Sequence, residues 1–193
     1  MNNPALVHFL KQVPPLNEES ANHIAEQFEL KELKKGDLFI KAGRVPNEYM
    51  FLEKGFIRSY VIDTEGNEVT LNFYSSNNVV FEVASFFQRQ PSQESFEATT
   101  DSIGWVLTYD KLNSLFHSLP EFRELGRTML VRGFIAFKLR TLSMINKTAE
   151  ERYAMLLQSN PEIFEHASLK HIASYLGVTD TSLSRIRKAF ATK

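Results

Sequence analysis

Within nine consecutive positions, from Asp180 to Lys188, the chain places Asp180, Thr181, Ser182, Ser184, Arg185, Arg187 and Lys188, interrupted only by Leu183 and Ile186. On a helix, the two apolar residues fall on one side and the seven polar ones on the other. That outward face is short-chained at its N-terminal end and basic further on. Such a face suits nucleic acid, because short polar side chains and a guanidinium meet base edges while basic residues and helix N-termini meet phosphate. Arg185 has the fork geometry for a bidentate contact to guanine. Asp180 or Thr181 is placed to read a neighbouring base. Ser168, Lys170, Ser182, Arg187 and Lys188 are assigned to the backbone, and Ser184 shares the face.

Such a face works only if a scaffold presents it. Two short helices that cross closely and turn in about three residues need apolar packing positions, a small residue at the crossing, and glycine where positive φ is required. The stretch "IASYLGVTDTSLSRIRK" meets each demand. Ile172 and Leu176 form the inner face of the first helix, Ala173 is the crossing residue, and Gly177 makes the turn. Val178, Leu183 and Ile186 pack back, and Thr179 caps the second helix through its hydroxyl. A plain αα-hairpin with a solvated outer face would share the apolar spacing. The alanine, glycine, cap and basic face together separate the two.

Charge distribution points the same way. The whole chain of 193 residues carries a formal charge of −1. From Ser168 onward, however, Lys170, Arg185, Arg187, Lys188 and Lys193 stand against Asp180 alone, a local +4 that leaves −5 elsewhere. A basic end on an acidic body is the pattern of a chain whose one end meets phosphate. Zero cysteines exclude disulfides, thiolate zinc sites, cysteine-ligated clusters and a cysteine nucleophile. The five histidines, His8, His23, His117, His166 and His171, show no HExxH or HxH spacing, so no metal is expected. No nucleophile motif such as GxSxG occurs, and no histidine lies between Leu30 and Leu107 to build a cupin metal site; an enzyme is not expected. With 43% hydrophobic residues, no apolar run of spanning length and no signal-peptide pattern, the chain is expected in the cytoplasm, with no cofactor and no membrane.

The remaining elements must carry this end. "PALVHFLKQV" and "NEESANHIAEQF" read as helices about a Pro14-Pro15 break, with Asn17 as an N-cap. From Leu30 to Leu107, "DLFIK", "YMFLE", "FIRSYVI", "EVTLNFY", "SFEATT" and "IGWVLT" alternate with turn signals around Gly36, Gly43, Gly55 and Gly66, which predicts an antiparallel β-barrel or jelly roll. A short helix over "YDKLNSLFHSLPEF" gives way at Pro120 to a long one reaching Asn146. Its Phe122, Leu125 and Met129 form one stripe; Val131, Ile135, Leu139, Leu142 and Ile145 form another. The barrel can cover one stripe. A second copy of the helix would cover the other, unless the C-terminal domain folds over it instead. The expected α+β architecture is thus a sensor domain over 1–118, a dimerisation helix over 119–146, and a helix-turn-helix domain over 147–193 with a break near Asn160-Pro161.

The order of a barrel carrying "KKGDLFIKAG", "FLEKGFIRSYVID" and "FEVASFF", a long helix and a terminal "IASYLGVTDTSLSRIRK" resembles the Crp/Fnr family of bacterial transcription regulators over nearly the whole chain. The resemblance implies a cyclic-nucleotide-binding-like domain and a homodimer on a near-palindromic DNA site. It also implies a small-molecule effector and RNA polymerase as candidate partners. In the family's cassette a Gly-Glu pair opens the segment and an Arg-Ser pair closes it; here "VVFEVASFFQRQPSQESFEA" has Phe81-Glu82 and Glu94-Ser95 in those places. The candidate pocket residues are Phe81, Glu82, Val83, Ala84, Ser85, Arg89, Glu94 and Ser95. An acidic side chain where a phosphate would sit repels it, so tight cyclic AMP binding is not expected, and Arg89 is the one nearby cation that could swing in. Only three residues follow Phe190, which leaves any DNA-binding wing to the "IFEHASL" region upstream. The competing reading is a cyclic-nucleotide or other small-ligand-binding regulatory module without DNA function.

Overall fold

The computed structural model describes residues 3–12 and 16–191 of the chain. The expected Pro14-Pro15 break lies outside them. Helix α1 (Pro4–Lys11) is capped by Asn3, and α2 (Glu18–Ala25) by Asn17, whose Oδ1 accepts the Ser20 N–H at 2.7 Å. Eight strands follow: β1 (Glu29–Leu33), β2 (Leu38–Ile40), β3 (Glu48–Lys54), β4 (Ile57–Ile62), β5 (Glu68–Tyr74), β6 (Asn78–Val80), β7 (Ser95–Ala98) and β8 (Ser102–Thr108). They form two four-stranded antiparallel sheets, ordered β1-β8-β3-β6 and β2-β7-β4-β5. The sheets face one another without closing, so the jelly-roll form of the expectation is the one realised. Ile40, Met50, Leu52, Ile57, Val80, Phe96, Ala98 and Val106 fill the space between them.

Strands β1 and β6 were not foreseen. Three of the five side chains of β1 are charged and only Leu33 is buried, so no alternation marks it. β6 is three residues long. One turn is set by sterics: Gly55 has φ +111°, and a Cβ there would fall 2.2 Å from Ser102 Oγ.

Between β6 and β7 the chain forms α3 (Val83–Gln88); after β8 come α4 (Tyr109–Ser118) and α5 (Pro120–Asn146). Pro120 supplies the preset φ of a first helical turn, and Thr108 caps α4. The first stripe of α5 meets the outer face of the β3-β8 sheet, where Phe122 and Leu125 are each 2% exposed among Leu112, Leu115, Phe86 and Tyr49. Beyond Met129 the helix runs free of the sandwich. Val131, Ile135, Leu139, Leu142 and Ile145 remain exposed, as do Phe134 and Phe137 at 68% and 67%.

The C-terminal part is helical throughout its described residues: α6 (Ala149–Ser159), α7 (Ile163–His166), α8 (Leu169–Leu176) and α9 (Asp180–Ala191). Thr148 and Glu151 form a reciprocal capping box at the start of α6. The "IFEHASL" segment, where a wing was expected, forms the helical turn α7, and no strand follows β8 among the described residues. The C-terminal helices meet α5 through Arg140 and Met144 but leave its second stripe exposed. They dock on the outer face of the second sheet, where Ser174 Oγ accepts the Thr70 N–H and donates to Thr70 Oγ1, both at 3.1 Å. Phe73 meets Tyr175 at 5.2 Å between ring centroids, and Phe56 joins the apolar cluster of Tyr153, Leu156, Ile172 and Leu183.

Candidate nucleic-acid interface and effector pocket

The hairpin is built as its sequence demands. Ser168 Oγ accepts the His171 N–H at 3.2 Å and starts α8. Gly177, at φ +67°, ends it: the Gly177 N–H reaches Ser174 O at 3.1 Å and the Val178 N–H reaches Ala173 O at 3.0 Å, which satisfies the last carbonyls. Thr179 Oγ1 accepts the Ser182 N–H at 3.2 Å and caps α9. Ile172, Ala173, Leu176, Leu183 and Ile186 are all buried at the crossing. The packing therefore turns the polar side of α9 outward. Thr179, Asp180, Thr181, Ser184, Arg185, Arg187 and Lys188 are exposed on it, with Ser168 and Lys170 exposed at the start of α8. Ser182 is partly covered, its Oγ accepting from the Thr179 hydroxyl at 3.0 Å.

Two arginines that the sequence reading did not single out hold this hairpin from behind. Arg140 of α5 donates to Tyr175 O at 2.9 Å and stacks 4.0 Å over the Tyr175 ring. Arg152 of α6 donates to Leu176 O through both Nε and Nη2, at 3.1 and 2.9 Å. Both guanidiniums face the carbonyl end of α8, where positive charge complements the helix dipole. Isolated arginines in helical text carry no signal for this. His171 faces the sheet beside a buried ion cluster, in which Arg58, 3% exposed, donates to Glu97 and Glu68. Burial, then the Arg58 charge, pushes the His171 pKa down, opposed by Glu97 and Glu68.

The pocket candidates lie around α3 and the start of β7. Glu82 N-caps α3 with both carboxylate oxygens, accepting the Ala84 N–H at 3.0 Å and the Ser85 N–H at 2.6 Å. The start of α3 is thus occupied by the chain's own anion. Val83 and Ala84 are exposed beside it, Ser85 is buried, and Phe81 packs edge-on to Tyr49, Phe86 and Phe87. Ser95 Oγ accepts the Ala42 N–H at 3.1 Å. Arg89 does not swing toward these carboxylates. Its guanidinium donates to Pro46 O at 2.7 Å and Asn47 Oδ1 at 2.9 Å and lies 4.2 Å over the Tyr109 ring. Glu94 is half-buried, and burial raises its pKa, with Glu82 adding to the rise and the Ser59 hydroxyl opposing it. Tyr74 nearby is pushed up to about 12, chiefly by burial. Behind α3, an apolar cavity of about 30 Å³ between Phe81, Phe86, Phe122, Met129 and Leu130 joins the cassette to α5.

The fold is shared with known proteins. Residues 30–118 match the cyclic nucleotide-binding domain family. Over 188 residues the chain is 25% identical to the fumarate and nitrate reduction regulatory protein of Yersinia pestis, spanning 91% of this chain and 74% of that one. Among solved structures, FixK2 of Bradyrhizobium japonicum superposes with a TM-score of 0.72 at 19% identity, over 86% of this chain and 85% of that one. The catabolite activator protein of Thermus thermophilus superposes with a TM-score of 0.60 at 19% identity, covering 95% and 87%. At those identities the structural matches establish the fold. No helix of the described residues is long and apolar enough to cross a membrane.

Proposed function

Because the chain belongs to the Crp/Fnr family of transcription regulators, we propose that it is a homodimeric, sequence-specific DNA-binding regulator and not an enzyme. Its division into a sensor (1–118), a dimerisation helix (119–146) and a DNA-binding domain (147–193) follows that reading. The observation that carries it is the outward side of α9: a capped, glycine-turned hairpin whose buried crossing leaves Asp180, Thr181, Ser184, Arg185, Arg187 and Lys188 in solvent. Arg185 takes a guanine. Asp180 or Thr181 reads the adjoining base, and Ser168, Lys170, Ser182, Arg187 and Lys188 hold phosphates, with the Thr179 cap fixing the helix that presents them.

A single α9 covers one half-site, so two copies are needed for a palindrome. The seam from Val131 to Ile145, which neither the sandwich nor the C-terminal helices cover, supports a parallel pairing of two α5 helices. The cavity behind α3 and the Arg140 and Arg152 contacts to α8 give α5 a physical connection to both ends of the molecule. The pocket is degenerate for cyclic AMP: Glu82 fills the α3 amides, Glu94 lies nearby, and Arg89 is held elsewhere. The cytoplasm, a promoter and RNA polymerase are the expected setting.

Selection from a randomised duplex pool, repeated at several salt concentrations, tests the proposal. A near-palindromic motif whose affinity falls steeply with salt is expected; no enriched motif, or binding indifferent to salt, would overturn it. The alternative, a ligand-binding module without DNA function, would reveal itself by strong thermal stabilisation with cyclic nucleotides and no enriched motif.

A further inference from the structure

We infer that Tyr175 is a positioning residue: held between Arg140 of α5 and Phe73 of β5, it fixes the angle at which the hairpin presents α9, and with it the spacing between the two reading helices of a dimer. The inference rests on the reading of α9 as the DNA-reading helix and names the residue that aims it. The covalent link does not set this angle. Between α5 and α6 lie Lys147 and Thr148, both in extended backbone, at φ −120°, ψ 143° and φ −68°, ψ 161°. Two extended residues between helices form a hinge unless side chains span it.

Side chains do span it, and they meet at Tyr175. Its ring lies 5.2 Å from Phe73 on the sandwich side, and the Arg140 guanidinium stacks 4.0 Å over it on the α5 side. Arg140 also donates from Nη2 to the Tyr175 carbonyl at 2.9 Å, so one guanidinium holds both ring and backbone. Phe73 leans in turn on Phe56, 5.7 Å away and 1% exposed, which backs the sandwich side with core. A separate observation shows that the contact is made at a cost. Arg140 Nε is buried without a hydrogen-bond partner, although an arginine on an otherwise exposed stretch of helix can keep its whole head in water. In sequence Arg140 lies between Leu139 and Leu142 of the free seam, so the dimer contact and the aim of the hairpin share one stretch of α5. From Tyr175 the chain runs through Leu176 and Gly177 into α9, and Ile172, Ala173, Leu183 and Ile186 bury the crossing, so α8 and α9 turn as one body. A dimer gains from a palindrome when both reading helices are already held at the half-site spacing. Freedom at the hinge lowers the effective concentration of the second contact.

The chain has no cysteine, so a labelled pair can be introduced without background. Glu121→Cys at the start of α5 and Glu165→Cys in α7, spin-labelled in the full chain and diluted into excess unlabelled chain, read the distance from the body to the hairpin in the absence of DNA. The parent and Tyr175→Phe, which keeps the ring and the carbonyl, should give one narrow distribution; Tyr175→Ala should broaden it. On the selected duplex, Tyr175→Ala should lose about tenfold in affinity for the full site, keep its affinity for an isolated half-site, and lose less than the parent when five base pairs are inserted between the half-sites. Tyr175→Phe should restore the parent in all three. A merely structural role would lower half-site and full-site binding together. Phe73→Leu, on the sandwich side, gives the same readings where Tyr175→Ala does not fold. The inference is overturned if the distribution stays narrow in both Tyr175→Ala and Phe73→Leu, if Tyr175→Phe behaves as Tyr175→Ala does, or if the spacing penalty matches that of the parent. A selected motif with unaltered distances overturns this inference alone. Broadened distances with no selected motif overturn the DNA-binding proposal and leave the role of Tyr175 in holding the hairpin intact.

Discussion

Replacing Phe134 by alanine tests what covers the free side of α5. Phe134 is 68% exposed in the single chain, so about two thirds of the roughly 1.5–3 kcal/mol that full burial of such a side chain contributes is still available, or about 1–2 kcal/mol. A two-fold dimer counts the position twice. The expected loss is therefore about 2–4 kcal/mol, which is about 30- to 1,000-fold in the dimer dissociation constant. Within the monomer, Phe134 touches no core cluster, so Tm at concentrations where the chain is monomeric should hardly move. Sedimentation velocity over a dilution series reads the dissociation constant directly. Ile145→Ala, at a position 78% exposed further along the helix, should act in the same direction. An unchanged dissociation constant in both variants, or a parent chain that stays monomeric at tens of micromolar, would refute the reasoning.

Arg185→Ala should cost about 1–3 kcal/mol at the one base pair it reads and relax selection there, whereas Arg187→Ala should weaken binding evenly across sequences and lower the salt slope by about one; competition titrations at several salt concentrations tell them apart. Gly177→Ala should destabilise the chain by about 1–2 kcal/mol, a fall of about 2–8 °C in Tm for a protein of this size, because φ is +67° and the new Cβ would fall 2.6 Å from Met144 Cε. His171 has a folded-state pKa below its unfolded one, so the unfolded chain binds its proton first and stability falls as the pH drops below about 6.5. Chemical denaturation across pH 5–8 should show this loss, reduced in His171→Gln. Glu94 has the opposite sign: with its folded pKa raised, its contribution declines as pH rises from about 4.5, so Glu94→Gln should gain stability over the parent toward neutral pH and lose that gain in acid.

The hairpin was legible because its constraints are local. A cap at Thr179, a left-handed glycine at Gly177 and apolar positions three and four apart leave little else for that stretch to form. The start of α5 at Pro120 was legible for the same reason, and so were the two apolar stripes of that helix. β1 escaped notice because an edge strand with charged side chains carries no alternation, and β6 because three residues are too few for one. The docking of the hairpin on the sandwich was not legible at all. It depends on Ser174 meeting Thr70 and Tyr175 meeting Phe73, pairs about a hundred residues apart whose types are ordinary in their own segments. The cassette was legible as a departure from a pattern. That Glu82 would spend both oxygens on α3, and Arg89 turn to Pro46, depended on side-chain directions no spacing encodes.

The central claim, two copies of one α9 reading one duplex, is tested most directly by a spacer series built on the selected site. Half-sites about 34 Å apart, roughly one helical turn, should bind tightest. Adding five base pairs between them turns one half-site to the opposite side of the duplex, and affinity should fall to the level of an isolated half-site. Equal affinity across the series would contradict the account, because it would mean that the reading surface acts as a single copy or that α9 does not read the duplex.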